Sequence, residues 1–208
     1  MKLIALTSPR YSDITKLYLQ SLQFKPDDTF TLFSFDEKGD EDFGTANYNL
    51  TTKRMMEICW KTMKEMKDGE LFMYTDSDMI FRVPFSDFTC GDDDIRFQED
   101  KGTYNLCLGF FVARVSPKIV KLFENIYNAT NETTNCQIAI NQFMGGIKYS
   151  FFPRNDVVGY GLISNDKIWN GEDFEIPPCK VFHANYTIGL ENKLKLMHKA
   201  IENTNKFG

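Results

Sequence analysis

The segment Leu71-Phe72-Met73-Tyr74-Thr75-Asp76-Ser77-Asp78-Met79-Ile80-Phe81 constrains this chain more than any other, because a mostly apolar run delivers two carboxylates, one residue apart, toward its far end. Such a run reads as a strand buried on both faces, which requires helices on either side of its sheet. Acidic residues at the carboxyl end of that strand fall in the crevice where open α/β sheets bind ligands. Alternation along a strand aims Asp76 and Asp78 to one side, where both can approach one divalent ion or a hydrated ion carrying phosphate. A bare D-x-D also begins turns, so the pair takes its meaning from the rest of the chain.

Lys2 to Thr7 reads as a strand, followed by the turn Ser8-Pro9-Arg10 and a helix capped at Ser12 that runs to about Leu22. Thr29 to Phe35 is a second strand, and Asp36 to Ala46 a polar loop. A helix from about Thr51 to Lys67 places Met55, Met56, Cys59, Met63 and Met66 at core-facing spacing, with Gly69 just past its end. Beyond the Asp76/Asp78 segment, Ile95 to Gln98 and Leu106 to Val115 read as strands, and Ser116-Pro117 opens a helix to about Tyr127. A helix from about Asn135 to Phe143, strands at Lys148 to Phe152 and Lys180 to His183, and a charged helix from about Leu190 to Glu202 complete the pattern. Strands alternating with helices, then mixed elements, predict a single-domain α/β fold with a mainly parallel sheet that gains antiparallel strands.

The 208 residues suffice for one globular domain with a sizeable core, which a longer protein could carry. Net charge is -5, with basic residues scattered among acidic ones, which excludes a nucleic-acid footprint and a polybasic membrane patch. No stretch approaches a membrane span of ~20 apolar residues, and the first residues lack a signal-peptide pattern. Five cysteines without C-x-x-C spacing read as reduced core thiols. The expected location is cytoplasmic.

A second segment, His183-Ala184-Asn185-Tyr186-Thr187-Ile188-Gly189-Leu190-Glu191-Asn192-Lys193, follows the short strand Lys180-Val181-Phe182, so His183 also stands at a strand end. Imidazole ligates first-row metals, and two carboxylates with one histidine leave positions open for diphosphate oxygens. Gly189 permits close backbone approach and Lys193 can neutralise phosphate. Taken alone, such a histidine is more often a satisfied or exposed one than a ligand.

Together these segments resemble nucleotide-diphospho-sugar transferases of the GT-A fold, especially retaining families that combine a D-x-D strand with an H-x-N-x-x-x-G-x-x-x-K element. The resemblance also takes in the opening Ile4-Ala5-Leu6-Thr7-Ser8, the helix containing Lys53, the strand around Gly109-Phe110-Phe111 and the helix of Gln137 to Asn141. Length and acidic character are similar to a virus-encoded, amino-terminal glycosyltransferase domain of a larger protein, which implies a host cytoplasm. The resemblance implies transfer of a hexose from a UDP-sugar to a glycan or other hydroxyl acceptor, with Mn2+ as cofactor and Mg2+ as substitute. It assigns Asp78 and His183 to the metal, and Asp76 to the metal or to ribose and sugar. Thr7, Ser8 and Tyr11 would line the uridine pocket, Lys53 would contact nucleotide or ribose, and Lys193 with the Gly189 backbone would hold the diphosphate. Ser77 and Asn185 belong to the donor-site motifs, and Gln137 to the sugar face. Tyr11 also reads as a surface turn residue, Lys53 and Lys193 as solvated helix faces, and Gln137 as a helix-surface glutamine. Two departures stand out: Cys136 occupies a position often acidic, and Cys107 one often asparagine.

Two other readings use the same residues. An apolar strand before D-x-D also describes haloacid-dehalogenase-type phosphatases, with Asp76 as nucleophile and Asp78 as general acid. A non-catalytic nucleotide-sugar-binding module would keep the ion and lack turnover.

Overall fold

The computed structural model describes residues 1–36, 45–100 and 106–204. The chain opens with β1 (Lys2–Thr7), a 3-10 turn at Pro9–Tyr11 and α1 (Ser12–Ser21), then β2 (Thr29–Ser34). Next come α2 (Ala46–Lys64), β3 (Leu71–Thr75), β4 (Met79–Phe81), β5 (Ile95–Glu99) and β6 (Leu106–Arg114). The remainder is α3 (Pro117–Ala129), α4 (Cys136–Ile140), β7 (Tyr149–Phe151), β8 (Val157–Gly159), α5 (Tyr160–Ser164), β9 (Val181–His183) and α6 (Leu190–Thr204).

A six-stranded sheet in the order β2-β1-β3-β6-β5-β7 forms the centre, and β4-β9-β8 form a smaller second sheet. The β1–β2, β1–β3, β5–β7 and β8–β9 pairs are parallel, while β6 runs antiparallel to both β3 and β5. Alternation sorts the central strands onto two cores. Leu3, Ala5 and Met73 face one core with α1, α6 and the small sheet; Ile4, Leu6, Phe72 and Tyr74 face the other with α2, α3 and α4. Burial of β3 on both faces explains its lack of polar residues before Thr75.

Three local expectations change. The segment 71–81 is not one strand: the chain leaves the central sheet at Asp76, and Met79–Phe81 pairs with β9 in the second sheet. The two aspartates therefore converge through the link between sheets and not through alternation on one strand. The first helix begins with the 3-10 turn, so Tyr11 takes the capping position in place of Ser12. The second helix starts more than a turn before Thr51, because the Thr45 hydroxyl accepts the Tyr48 N–H at 3.1 Å, and it ends at Lys64. Most of the loop expected over 36–46 lies outside the described residues. Elsewhere, Ser116 and Asn135 cap α3 and α4 through their side chains.

This topology positions the site. The parallel neighbours β1 and β3 bring Thr7, Ser8 and Asp76 to one edge of the sheet. Opposite β3, the Gly109 carbonyl accepts the Asp76 N–H at 2.7 Å, and in the second sheet Met79 is paired with His183.

Candidate active site

Asp78 lies in the link between β3 and β4, with a side chain only 6% exposed. Its backbone carbonyl accepts the Ala184 N–H at 2.9 Å, which locks His183 beside it. His183 Nε2 lies 3.2 Å from Asp78 Oδ1 and 3.8 Å from Asp76 Oδ2. The three potential ligand atoms fall within 4.8 Å of one another. On the far side of Asp78, Lys193 from the first turn of α6 donates from Nζ to Oδ2 at 2.6 Å.

Two neighbours shape the triad further. The Tyr74 hydroxyl donates to Asp76 Oδ1 at 2.9 Å, and His183 Nδ1 lies 2.9 Å from Gln98 Oε1. The amide oxygen can only accept, so Nδ1 carries a hydrogen, and Nε2 faces the carboxylates as a lone pair when the imidazole is neutral and as an N–H when it is protonated. Acceptors facing one another at these distances require a cation or a proton between them. Asp78 Oδ1 is buried without a hydrogen-bond donor, which is the position a metal ion would fill. Two carboxylate oxygens and one imidazole nitrogen suit a divalent ion and leave further positions open.

The electrostatics agree. Burial raises the Asp78 carboxyl, but Lys193 and His183 outweigh it and hold the group well below the usual carboxylate range. Burial and the charge of Asp78 push the Asp76 carboxyl up. Burial alone would lower His183, yet Asp78 and Asp76 keep its imidazole above its ordinary value.

The triad opens into a cleft of about 650 Å³. Thr7, Ser8, Tyr11, Ser77 and Lys193 line it, as do Gln137 and Asn185. Ser8 Oγ is buried without a partner, ready for a ligand hydrogen bond. Gln137 Nε2 donates to Asp100 Oδ2 at 3.4 Å. Lys53 departs from expectation: its ammonium sits 5.2 Å from the centre of the Tyr127 ring, and Thr51, Thr52 and Met55 face the cleft from the same helix. The helix turns Lys53 toward α3, so it does not join the other candidates. Gly189 is not on the cleft wall; its carbonyl accepts the Lys193 N–H at 3.2 Å, the first bond of α6, and its neighbour Ile188 reaches the cleft.

The sequence assigned no role to some wall residues. Asp100, Asp166, Tyr48, Tyr74 and Tyr186 reach the cleft from five separate segments. Gly109 stood out only as part of a strand, yet a Cβ there would lie 2.4 Å from Asp76 Oδ2 and 3.0 Å from His183 Cε1. A side chain at 109 would push Asp76 and His183 apart. Cys107 and Cys136, the two departures, both line the cleft. Burial pushes the Cys136 thiol up to about 12 and Cys107 well above its ordinary value, so both stay neutral.

The family model for nucleotide-diphospho-sugar transferases matches residues 9–197, which take in the whole constellation except Thr7 and Ser8. The chain belongs to that family. This transferase shares the GT-A fold of a glycosyltransferase involved in the glycosylation of the major capsid of PBCV-1, at 11% identity and a TM-score of 0.66, over 95% of this chain and 98% of that one. It is also similar to the galactosyltransferase LgtC in complex with donor and acceptor sugar analogs, at 12% identity and a TM-score of 0.54, with 95% of each chain covered. A third likeness is to the bifunctional glycosyltransferase WbbM, at 11% identity and a TM-score of 0.58, over 89% of this chain and 45% of that one. No curated protein matches the chain in sequence. The transferase family displaces the phosphatase and the non-catalytic readings. Among the described residues, no helix is long and apolar enough to cross a membrane.

Proposed function

We propose that the transferase moves a hexose from a UDP-sugar to a hydroxyl of a glycan or similar acceptor, with retention of anomeric configuration and with Mn2+, or Mg2+ in its place, held by Asp76, Asp78 and His183. The observation that carries this reading is the convergence of three acceptor atoms within 4.8 Å, beside a cleft of nucleotide-sugar size. A divalent ion bound there supplies Lewis-acid neutralisation of the charge that develops on the departing diphosphate.

The chain's own residues would divide the remaining work. Lys193 would exchange part of its contact with Asp78 for the diphosphate, adding a second positive centre near the leaving group. Thr7, Ser8 and Tyr11 would hold the nucleoside, with the unpaired Ser8 hydroxyl as one donor. Ser77 would support the diphosphate side and Asn185 the sugar side; the Asn185 carboxamide oxygen already accepts the Gly161 N–H at 3.0 Å, which fixes its direction. Gln137 would face the sugar, steadied by Asp100. Retention is supported by the likeness of His183 to Lys193 to the retaining element. The departing phosphate oxygen would then take the acceptor's proton on the same face, with no protein nucleophile.

Calorimetric titration with UDP, with and without Mn2+, on the wild type and Asp78→Ala tests the reading. Metal-dependent UDP binding that is lost in the variant is the expected result. Binding that ignores the metal, or no nucleotide binding, overturns it.

A further inference from the structure

We infer that Gln98 is a positioning residue that sets the ion preference of the site: by accepting the Nδ1–H of His183 it presents Nε2 to the cation, and so favours Mn2+ over Mg2+. This rests on the metal centre proposed above.

Four features of the fold converge on this amide. Gln98 is fully buried and its Oε1 lies 2.9 Å from His183 Nδ1. The β5–β6 register shifts between Phe97 and Gln98, and an irregularity of this kind re-aims a side chain at the edge of a site. Gly159 is the register partner of His183 in β8–β9, and a Cβ there would lie 2.5 Å from Gln98 Nε2. The amide therefore occupies space that any other residue at 159 would take. Finally, Gln98 Nε2 is buried without a hydrogen-bond partner. A residue kept for packing alone would be apolar there, since an unpaired buried amide is unfavourable and methionine fills the same length. The carbonyl end is what the site needs.

Gln98 does not line the cleft, so it acts through His183. Without its acceptor the imidazole would place its hydrogen on Nε2 and donate to Asp78 Oδ1, 3.2 Å away, closing the nitrogen to a metal. Oxygen ligands satisfy Mg2+, whereas a nitrogen ligand adds more to a first-row transition ion. Loss of Nε2 should thus weaken Mn2+ far more than Mg2+. A neutral amide achieves the orientation without adding a third negative charge beside Asp76 and Asp78.

The experiment measures Mn2+ and Mg2+ affinities by calorimetry for the wild type, Gln98→Met and Gln98→Glu, with thermal melting in EDTA to establish folding. Gln98→Met is expected to lose roughly 10- to 100-fold in Mn2+ affinity and much less in Mg2+. Gln98→Glu, which still accepts the Nδ1–H, is expected to keep the wild-type preference. Unchanged Mn2+ binding in a folded Gln98→Met, or an equal loss of both ions, overturns the inference and leaves the metal centre standing. If Gln98→Met does not fold, a folded Gln98→Glu that has lost the preference overturns it. A wild type that binds no Mn2+ removes the metal centre and this inference together.

Discussion

Replacing Gly109 by alanine adds one methyl group where Asp76 and His183 meet. That Cβ would stand 2.4 Å from Asp76 Oδ2, and ordinary contact begins at 3.4 Å, so the carboxylate must retreat by about 1 Å (3.4 less 2.4). It has little freedom to do so. Tyr74 holds the other carboxylate oxygen at 2.9 Å, the Asp76 N–H is tied to the Gly109 carbonyl, and His183 Cε1 is itself 3.0 Å from the new atom. A displacement of about 1 Å in a reacting constellation costs about 100-fold in rate. Ligand misplacement should lower Mn2+ affinity at least as much as loss of a supporting hydrogen bond, about 10- to 100-fold. Overpacking costs about 1–3 kcal/mol, or a melting shift of about 2–12 °C in a domain of this size. The assay is Mn2+ titration with UDP release from a donor that the wild type uses, alongside thermal melting. A folded variant with wild-type Mn2+ affinity and turnover would refute the claim that Gly109 is the space in which the ligands meet.

Two further outcomes are expected. Lys53→Ala should leave UDP affinity unchanged and lower stability by about 0.5–1 kcal/mol, the lower end of the range for a cation–π contact, as read by calorimetry and denaturant unfolding. The pH response should reverse with metal. In the metal-free protein His183 is raised above its ordinary 6.5, so its contribution to stability is fully present below that value and fades as pH rises through the folded-state pKa. A bound ion needs the imidazole neutral, so the added stability from Mn2+ should grow over the same window. Melting curves from about pH 6 to about pH 8, with and without Mn2+, check both slopes; parallel slopes would place His183 outside the metal site.

Much of the fold was legible because its signals are local. The apolar run Leu71 to Thr75, proline after a capping Ser116, and methionines at helical spacing in α2 each carry their own physical cause. The break at Asp76 was not legible, since Met79–Phe81 is as apolar as the strand before it and its change of sheet depends on pairing with β9, about a hundred residues later. The strand β8 is three residues long and shows no period to read. In the site, Asp78, His183 and Lys193 were legible as charged or ligating groups at strand and helix ends. Lys53 misled because the face of α2 that meets the cleft is settled by packing, and Lys53 lies on the side that meets Tyr127. Gly109, Gln98 and Gly159 were out of reach: their roles lie in space left open or in a bond to a distant ring, neither of which a one-dimensional pattern encodes.

Asp78 and Lys193 are 115 residues apart in sequence and 2.6 Å apart in space. During synthesis the first core strands leave the ribosome well before His183 and Lys193 do. The growing chain thus passes through a stage in which Asp78 has neither of its neutralising partners, and the contacts that supply them close the longest loops in the site. If the triad holds the proposed ion, its capture would belong to the end of folding, and uptake of Mn2+ by nascent chains of increasing length would date the moment at which α6 docks.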